Sequence, residues 1–208
     1  LWCGVEVCLG RVILFVRRNN MNILECIRTR RSIRTYTDRH IEEETLRELL
    51  TLGVKAATGS NEQPWGFAVI QDREEIRFLS ETARAWLLEN LDAYPYFEQY
   101  REWLDKPSYS VFNHADTLLL IYGDTASHWY VYDCTLCAAN IMLAAHSMGI
   151  GSCWLGFGEH VLDTPEFKRA HNVPGSYSLV CPMSLGYSKG KLPPSERRDP
   201  LVFSWQKA

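Results

Sequence analysis

Apolar positions along the chain fall into two kinds of pattern. Ile23, Leu24 and Ile27 recur at helical spacing, which predicts a short helix over Met21–Arg31 that ends in arginines. Glu42-Glu43-Glu44 opens a second helix at the end that favours negative charge, with Leu46, Leu49, Leu50 and Val54 as its buried stripe. A third helix is expected over Arg73–Asn90, with Ile76, Leu79, Ala83, Trp86 and Leu87 on one side. His128–Met148 reads as a long apolar helix rich in alanine, stopped by Gly149. Thr164-Pro165-Glu166 has the order of an N-cap, a first-turn proline and an acid, so a further helix starts there.

The other pattern is strand-like. Phe67–Gln71, Thr117–Tyr122, Gly151–Phe157 and Tyr177–Leu185 are short apolar runs. Thr117–Tyr122 is unbroken, which predicts burial on both faces. Ser32–Arg39 reads as a polar connector, and residues 91–113 as a mobile aromatic segment without a period. These elements predict one α+β domain over residues 21–208. Residues 1–20 are expected to be an extension: an upstream remnant ahead of Met21, or an arm with a short strand at Val12–Val16.

Composition narrows the function. Lys and Arg number 22 and Asp and Glu 25, a net charge of −3, which excludes a generally basic nucleic-acid coat. No apolar run approaches the ~20 residues of a membrane span. Seven cysteines, an odd number in a chain of this length, suit a reducing, cytoplasmic setting better than a disulfide scaffold. Aromatic residues reach 12%, so flat side chains are available for ligand stacking.

Four fragments carry candidate chemistry. Arg30-Arg31-Ser32-Ile33-Arg34 puts three guanidiniums and a hydroxyl at a helix end, a match for phosphate oxygens. Alone, such a cluster also suits a solvated helix end. Thr58-Gly59-Ser60-Asn61-Glu62-Gln63-Pro64-Trp65 sets two amides on a turn, each with a donor and an acceptor, as the edge of a flat heterocycle requires. The run Gly149–Gly158 holds four glycines in ten residues and allows close backbone approach, without dinucleotide-fold spacing. Arg197-Arg198 adds a late basic pair. Cys134-Thr135-Leu136-Cys137 has redox or metal spacing, yet it lies inside an apolar helix and reads as inert. The six histidines form no metal pattern and are expected to be surface or core residues.

In order and spacing these fragments resemble the FMN-dependent nitroreductase family, from about Asn22 to Trp205. The resemblance implies a mixed, mainly antiparallel β-sheet flanked by helices, built as an intertwined homodimer with two FMN sites at the interface. It implies that Arg30, Arg31 and Ser32 contact phosphate and ribityl, and that Arg34 lies near the flavin N1 and O2 edge or phosphate. Thr58, Asn61 and Gln63 would contact the ring system, often from the second subunit. Leu155 and Gly156 would lie beside the C4 and N5 edge, and Arg197 or Arg198 would reach the phosphate. Ala57-Thr58 departs from the family's frequent Pro-Ser while keeping a hydroxyl.

The implied reaction is ping-pong, from NADH or NADPH through FMN to a nitroaromatic, a quinone or a similar flat acceptor. No catalytic side chain is required, since the cofactor does the chemistry. Two alternatives stay open: a flavin-holding or flavin-fragmenting member, and a Cys134/Cys137 thiol or metal module.

Overall fold

The structure, a computed structural model, describes residues 21–190, 192–193 and 195–207. The expected extension over 1–20 and its Val12–Val16 strand lie outside the described residues. Four strands form one antiparallel sheet: β1 (Trp65–Ile70), β2 (Thr117–Asp124), β3 (Ile150–Trp154) and β4 (Tyr177–Tyr187), in the order β1-β2-β4-β3. Helices α1 (Ile23–Thr29), α2 (Glu43–Gly53), α3 (Arg73–Glu89) and α5 (Tyr130–Ser147) surround it. Three shorter α-helices also occur among the described residues: α4 (Arg101–Leu104), α6 (Glu159–Leu162) and α7 (Pro165–Ala170).

The unbroken apolar run of β2 is explained by two cores. Leu118, Leu120 and Tyr122 face a cluster with Ile76, Leu79, Ala83 and Leu87 of α3. Leu119 and Ile121 face a second cluster with Leu46 and Leu49 of α2 and Cys137, Ala138 and Ile141 of α5. Each fully buried Leu or Ile contributes about 1.5–3 kcal/mol relative to exposure. The stripe expected on α2 is therefore half right: Leu46 and Leu49 are buried, whereas Leu50 and Val54 are only partly so.

Local chemistry sets the element ends. Asn22 accepts from the Glu25 N–H, Asp72 from Glu74 and Glu75, and Thr164 from Phe167, each as an N-cap. Gly149 takes φ +76° just after α5, as a left-handed helix stop requires. α1 is shorter than the predicted Met21–Arg31, because Arg30 turns extended at ψ 132°.

Pro182 lies in β4, which has a neighbour on both sides. Its carbonyl accepts from Leu155 N–H at 2.9 Å, so its missing donor faces the point where β3 has ended. The β2–β4 register also shifts between Ile121 and Tyr122, opposite this stretch.

Two sequence expectations need correction. Ser32–Arg39 is not a free connector. Ile33 N–H donates to Ser152 O at 3.0 Å, Thr37 N–H to Tyr187 O at 2.8 Å and Lys189 N–H to Thr35 O at 3.0 Å, so the segment runs along the sheet. Residues 91–113 are not without structure either. Pro95–Tyr100 forms a 3-10 helix and runs into α4, while Leu104 and Phe112 are fully buried.

Candidate functional site

The arginine segment is fixed to the sheet by two contacts that need glycine. A Cβ on Gly151 would lie 2.7 Å from the Ile33 side chain, and one on Gly186 would lie 2.7 Å from the Tyr36 ring. Both side chains use the missing Cβ as a seat. The Tyr36 hydroxyl also donates to Ile33 O at 2.6 Å and lies 3.0 Å from Ser184 Oγ.

Held this way, Arg34 lines a cleft of about 840 Å³ together with Cys153, Trp154, Leu155 and Gly156. That volume lies within the ~300–1,000 Å³ range of small-molecule pockets. The opposite wall is aromatic: Tyr96, Tyr100, Trp103 and Tyr109 come from the segment that has no period in the sequence. Tyr100 packs edge-on against Phe157 with ring centroids 5.0 Å apart, which ties the two walls together.

The electrostatics of the cleft are cationic. Among the described residues neither Arg30 nor Arg34 has a carboxylate partner, whereas Arg47, Arg77, Arg101 and Arg169 are each paired with glutamate. Burial raises the Cys153 thiol above its ordinary range, and Arg34, a Ser32 hydrogen bond and Arg30 pull against that rise. Burial likewise raises the Tyr109 phenol against the pull of Arg34. Both groups are neutral at pH 7, so the arginines dominate the local field.

Arg34, Leu155 and Gly156 are thus brought to one cleft. Ser32 pairs with Ser152 of β3, one residue before Cys153, while Arg30, two residues earlier, is not among the lining residues. The Leu155 N–H is taken by Pro182 O, while Gly156 is exposed at the cleft edge. Arg31 donates to Pro193 O, so the tail does return to the arginine segment. Arg197 and Arg198 do not line the cleft: Arg197 bonds Ser195 and Glu196 O, and both arginines are exposed.

The amide turn stands apart from this cleft. Asp133, buried at the start of α5, accepts from Thr58 Oγ1 at 2.8 Å and from Gly59 N–H at 3.1 Å. Thr58 Oγ1 in turn accepts from Gln63 N–H at 3.0 Å. Ser60, Asn61 and Gln63 all take positive φ, and the Asn61 and Gln63 side chains are exposed. None of Thr58, Asn61 and Gln63 lines the cleft of its own chain.

Sequence reasoning missed Cys153, Asn113 and His114, which also line the cleft. The Asn113-His114 pair, with φ +60° and +50°, leaves no motif in an irregular segment. The Cys134/Cys137 module is not supported: both thiols are fully buried, and burial pushes each up to about 12. No metal-holding cluster occurs among the described residues.

Comparison with known proteins agrees with this geometry. The nitroreductase family model matches residues 27–187. A candidate NADH dehydrogenase/NAD(P)H nitroreductase of Archaeoglobus fulgidus is 32% identical, covering 80% of this chain and 85% of its own. The nitrobenzene nitroreductase of Ectopseudomonas oleovorans is 27% identical over 83% of this chain and 89% of its own. The crystal structure of a Bacteroides fragilis nitroreductase with bound FMN superposes with a TM-score of 0.77 at 25% identity, covering 88% of this chain and 98% of that one. The family model spans most of the chain and the Archaeoglobus relative shares nearly a third of the aligned residues, so the chain belongs to the nitroreductase family and is an oxidoreductase.

Proposed function

We propose that this oxidoreductase passes two electrons from NADH or NADPH to a nitroaromatic, a quinone or a similar flat acceptor, in a ping-pong cycle. Its cofactor is FMN. The observation that carries the reading is the cleft in which the Arg34 guanidinium, on a segment seated against the sheet glycines, meets an aromatic wall with no carboxylate among the lining residues.

The donor set fits FMN. Arg30, Arg31 and Ser32 would hold the phosphate, because guanidinium forks and a hydroxyl match its oxygens. Arg34 would face the pyrimidine edge, and Leu155 and Gly156 the opposite edge of the ring. The Leu155 side chain is buried and its N–H is spent, which makes Gly156 the backbone group with hydrogen-bonding capacity at that edge. FMN, when bound, supplies the two-electron transfer for which these side chains have no group of their own.

The chain's residues bind, orient and exclude water. Arg34 places a positive charge where negative charge gathers. The aromatic wall of Tyr100, Trp103 and Tyr109 offers faces for a planar acceptor and keeps the cleft apolar. The ping-pong order of this reading has nicotinamide and acceptor take turns in the cleft that Arg34 lines. Asn61 and Gln63 act in this reading from a second copy of the chain, since they are exposed on their own, while the Thr58 hydroxyl, held by Asp133, fixes the turn that carries them. Ile23, Leu24 and Ile27 of α1 and Tyr132 and Leu136 of α5 are 47–65% exposed, an apolar surface suited to a homodimer. No helix among the described residues is long and apolar enough to cross a membrane. The five described cysteines are all free, which agrees with a cytoplasmic setting.

The test is an absorbance spectrum of the purified protein, then anaerobic titration with each nicotinamide and turnover with a nitroaromatic or quinone. Yellow protein bleached by NADH or NADPH and recoloured by the acceptor is the expected result. Colourless protein that takes up no added FMN overturns the reading. Consumption of flavin without steady turnover would place the chain with flavin-fragmenting proteins instead.

A further inference from the structure

We propose that Asn113 is the residue that receives an oxygen atom of the electron acceptor, and so selects flat acceptors bearing a nitro or quinone oxygen. The inference rests on the oxidoreductase reading above and assigns a specificity residue within it.

The backbone fixes the position of this side chain. Asn113 and His114 are consecutive left-handed residues, a conformation that asparagine tolerates better than most. Phe112 on one side and Ala115 on the other are buried, and Asn113 N–H donates to Ser110 O at 3.0 Å. Such conformations persist where the surroundings over-determine them, and they gather at functional sites.

A chain of hydrogen bonds then fixes which way the amide faces. The single proton of the Tyr36 hydroxyl goes to Ile33 O at 2.6 Å. Ser184 Oγ, 3.0 Å from the phenol oxygen, is therefore the donor of that contact. With its proton used, Ser184 Oγ accepts from Asn113 Nδ2 at 3.4 Å. The result is a directed relay from Asn113 through Ser184 and Tyr36 to the carbonyl next to Arg34. It orients the amide and ties it to the arginine segment.

One N–H and the Oδ1 atom of Asn113 remain without a partner among the described residues. The exposed His114 already has its Nε2 engaged, 3.1 Å from Ser108 O. Asn113 thus brings an oriented N–H into a cleft walled by Tyr100, Trp103 and Tyr109. In those surroundings one oriented donor discriminates strongly, since an acceptor lacking an oxygen leaves it unpaired.

Two variants test this. Asn113→Asp keeps the shape and removes the donor. Asn113→Gly removes the amide and keeps the left-handed backbone, so a folded protein is available even if the charged variant fails. The acceptors are p-benzoquinone, which carries the oxygens, and ferricyanide, which takes electrons without entering a fitted subsite. In both variants kcat/KM for p-benzoquinone is expected to fall about tenfold relative to ferricyanide, mainly through KM. Equal losses with the two acceptors overturn the proposal and leave a structural role. Loss of bound FMN with unchanged KM for p-benzoquinone also overturns it, by moving Asn113 to the cofactor. Wild-type protein that neither holds FMN nor is bleached by NADH or NADPH overturns the oxidoreductase reading itself, and that spectrum is recorded before any variant is compared.

Discussion

Arg34 is a cation in a cleft where no carboxylate answers it, and its neighbours Cys153 and Tyr109 stay neutral. Removing it leaves the anionic cofactor with one charged contact fewer, worth about 1.5–3 kcal/mol. Arg34→Ala is therefore expected to raise the Kd for FMN roughly 10- to 100-fold and to slow bleaching by NADH. Fluorescence titration with FMN measures the first, and unchanged affinity would reduce the arginine cluster to a solvated helix end.

His146 offers a check on the same region through pH. Burial first, and then Arg30, lower its pKa, while Glu25 opposes them. In the unfolded chain it titrates at about 6.5, so the unfolded state binds the extra proton first. Its share of stability is complete above that value and is lost as the pH falls through the lower folded value. Thermal melts from pH 7.5 down to 5 should show a fall in Tm that His146→Gln makes shallower.

Motif reading found Arg34 because a cation cluster has a composition of its own. Asn113 has none: a lone amide among aromatics acquires meaning only when Ser184 and Tyr36, far away in sequence, close on it.

Among the elements, those with a period or a cap signal were legible, α7 with its Thr164-Pro165-Glu166 start included, and those of the 91–113 segment were not. The unbroken run of β2 and the stripe of α3 carry a period that the two cores enforce. Pro95–Tyr100 and α4 span too few residues to show one, and their apolar positions Leu104, Val111 and Phe112 lie in or between turns. The docking of 32–37 on the sheet was also invisible, since it depends on glycines more than a hundred residues away. That docking makes a specific prediction. Gly151→Val puts a side chain where Ile33 sits, and overpacking of this kind costs about 1–3 kcal/mol. The variant is expected to stay folded, melt at lower temperature and bind FMN more weakly. Undiminished FMN affinity would show that the arginine segment does not need its seat on β3.

For the whole molecule, the sequence resemblance set out both halves of a cofactor site and left open how one chain divides them. The structure puts Arg34 and the aromatic wall at one cleft and leaves Asn61 and Gln63 exposed on a turn pinned by Asp133. That separation has a genetic consequence. If every working site borrows its amides from the neighbouring copy, then at an FMN concentration that fills intact sites alone, an Arg34→Ala chain and a chain with both Asn61→Ala and Gln63→Ala are each inactive by themselves, yet complementary when paired. In a random mixture half the dimers are hybrids, and each hybrid has one site with both halves intact. Co-expression should therefore recover about a quarter of wild-type activity, whereas mixing the separately purified homodimers should recover none until the subunits exchange.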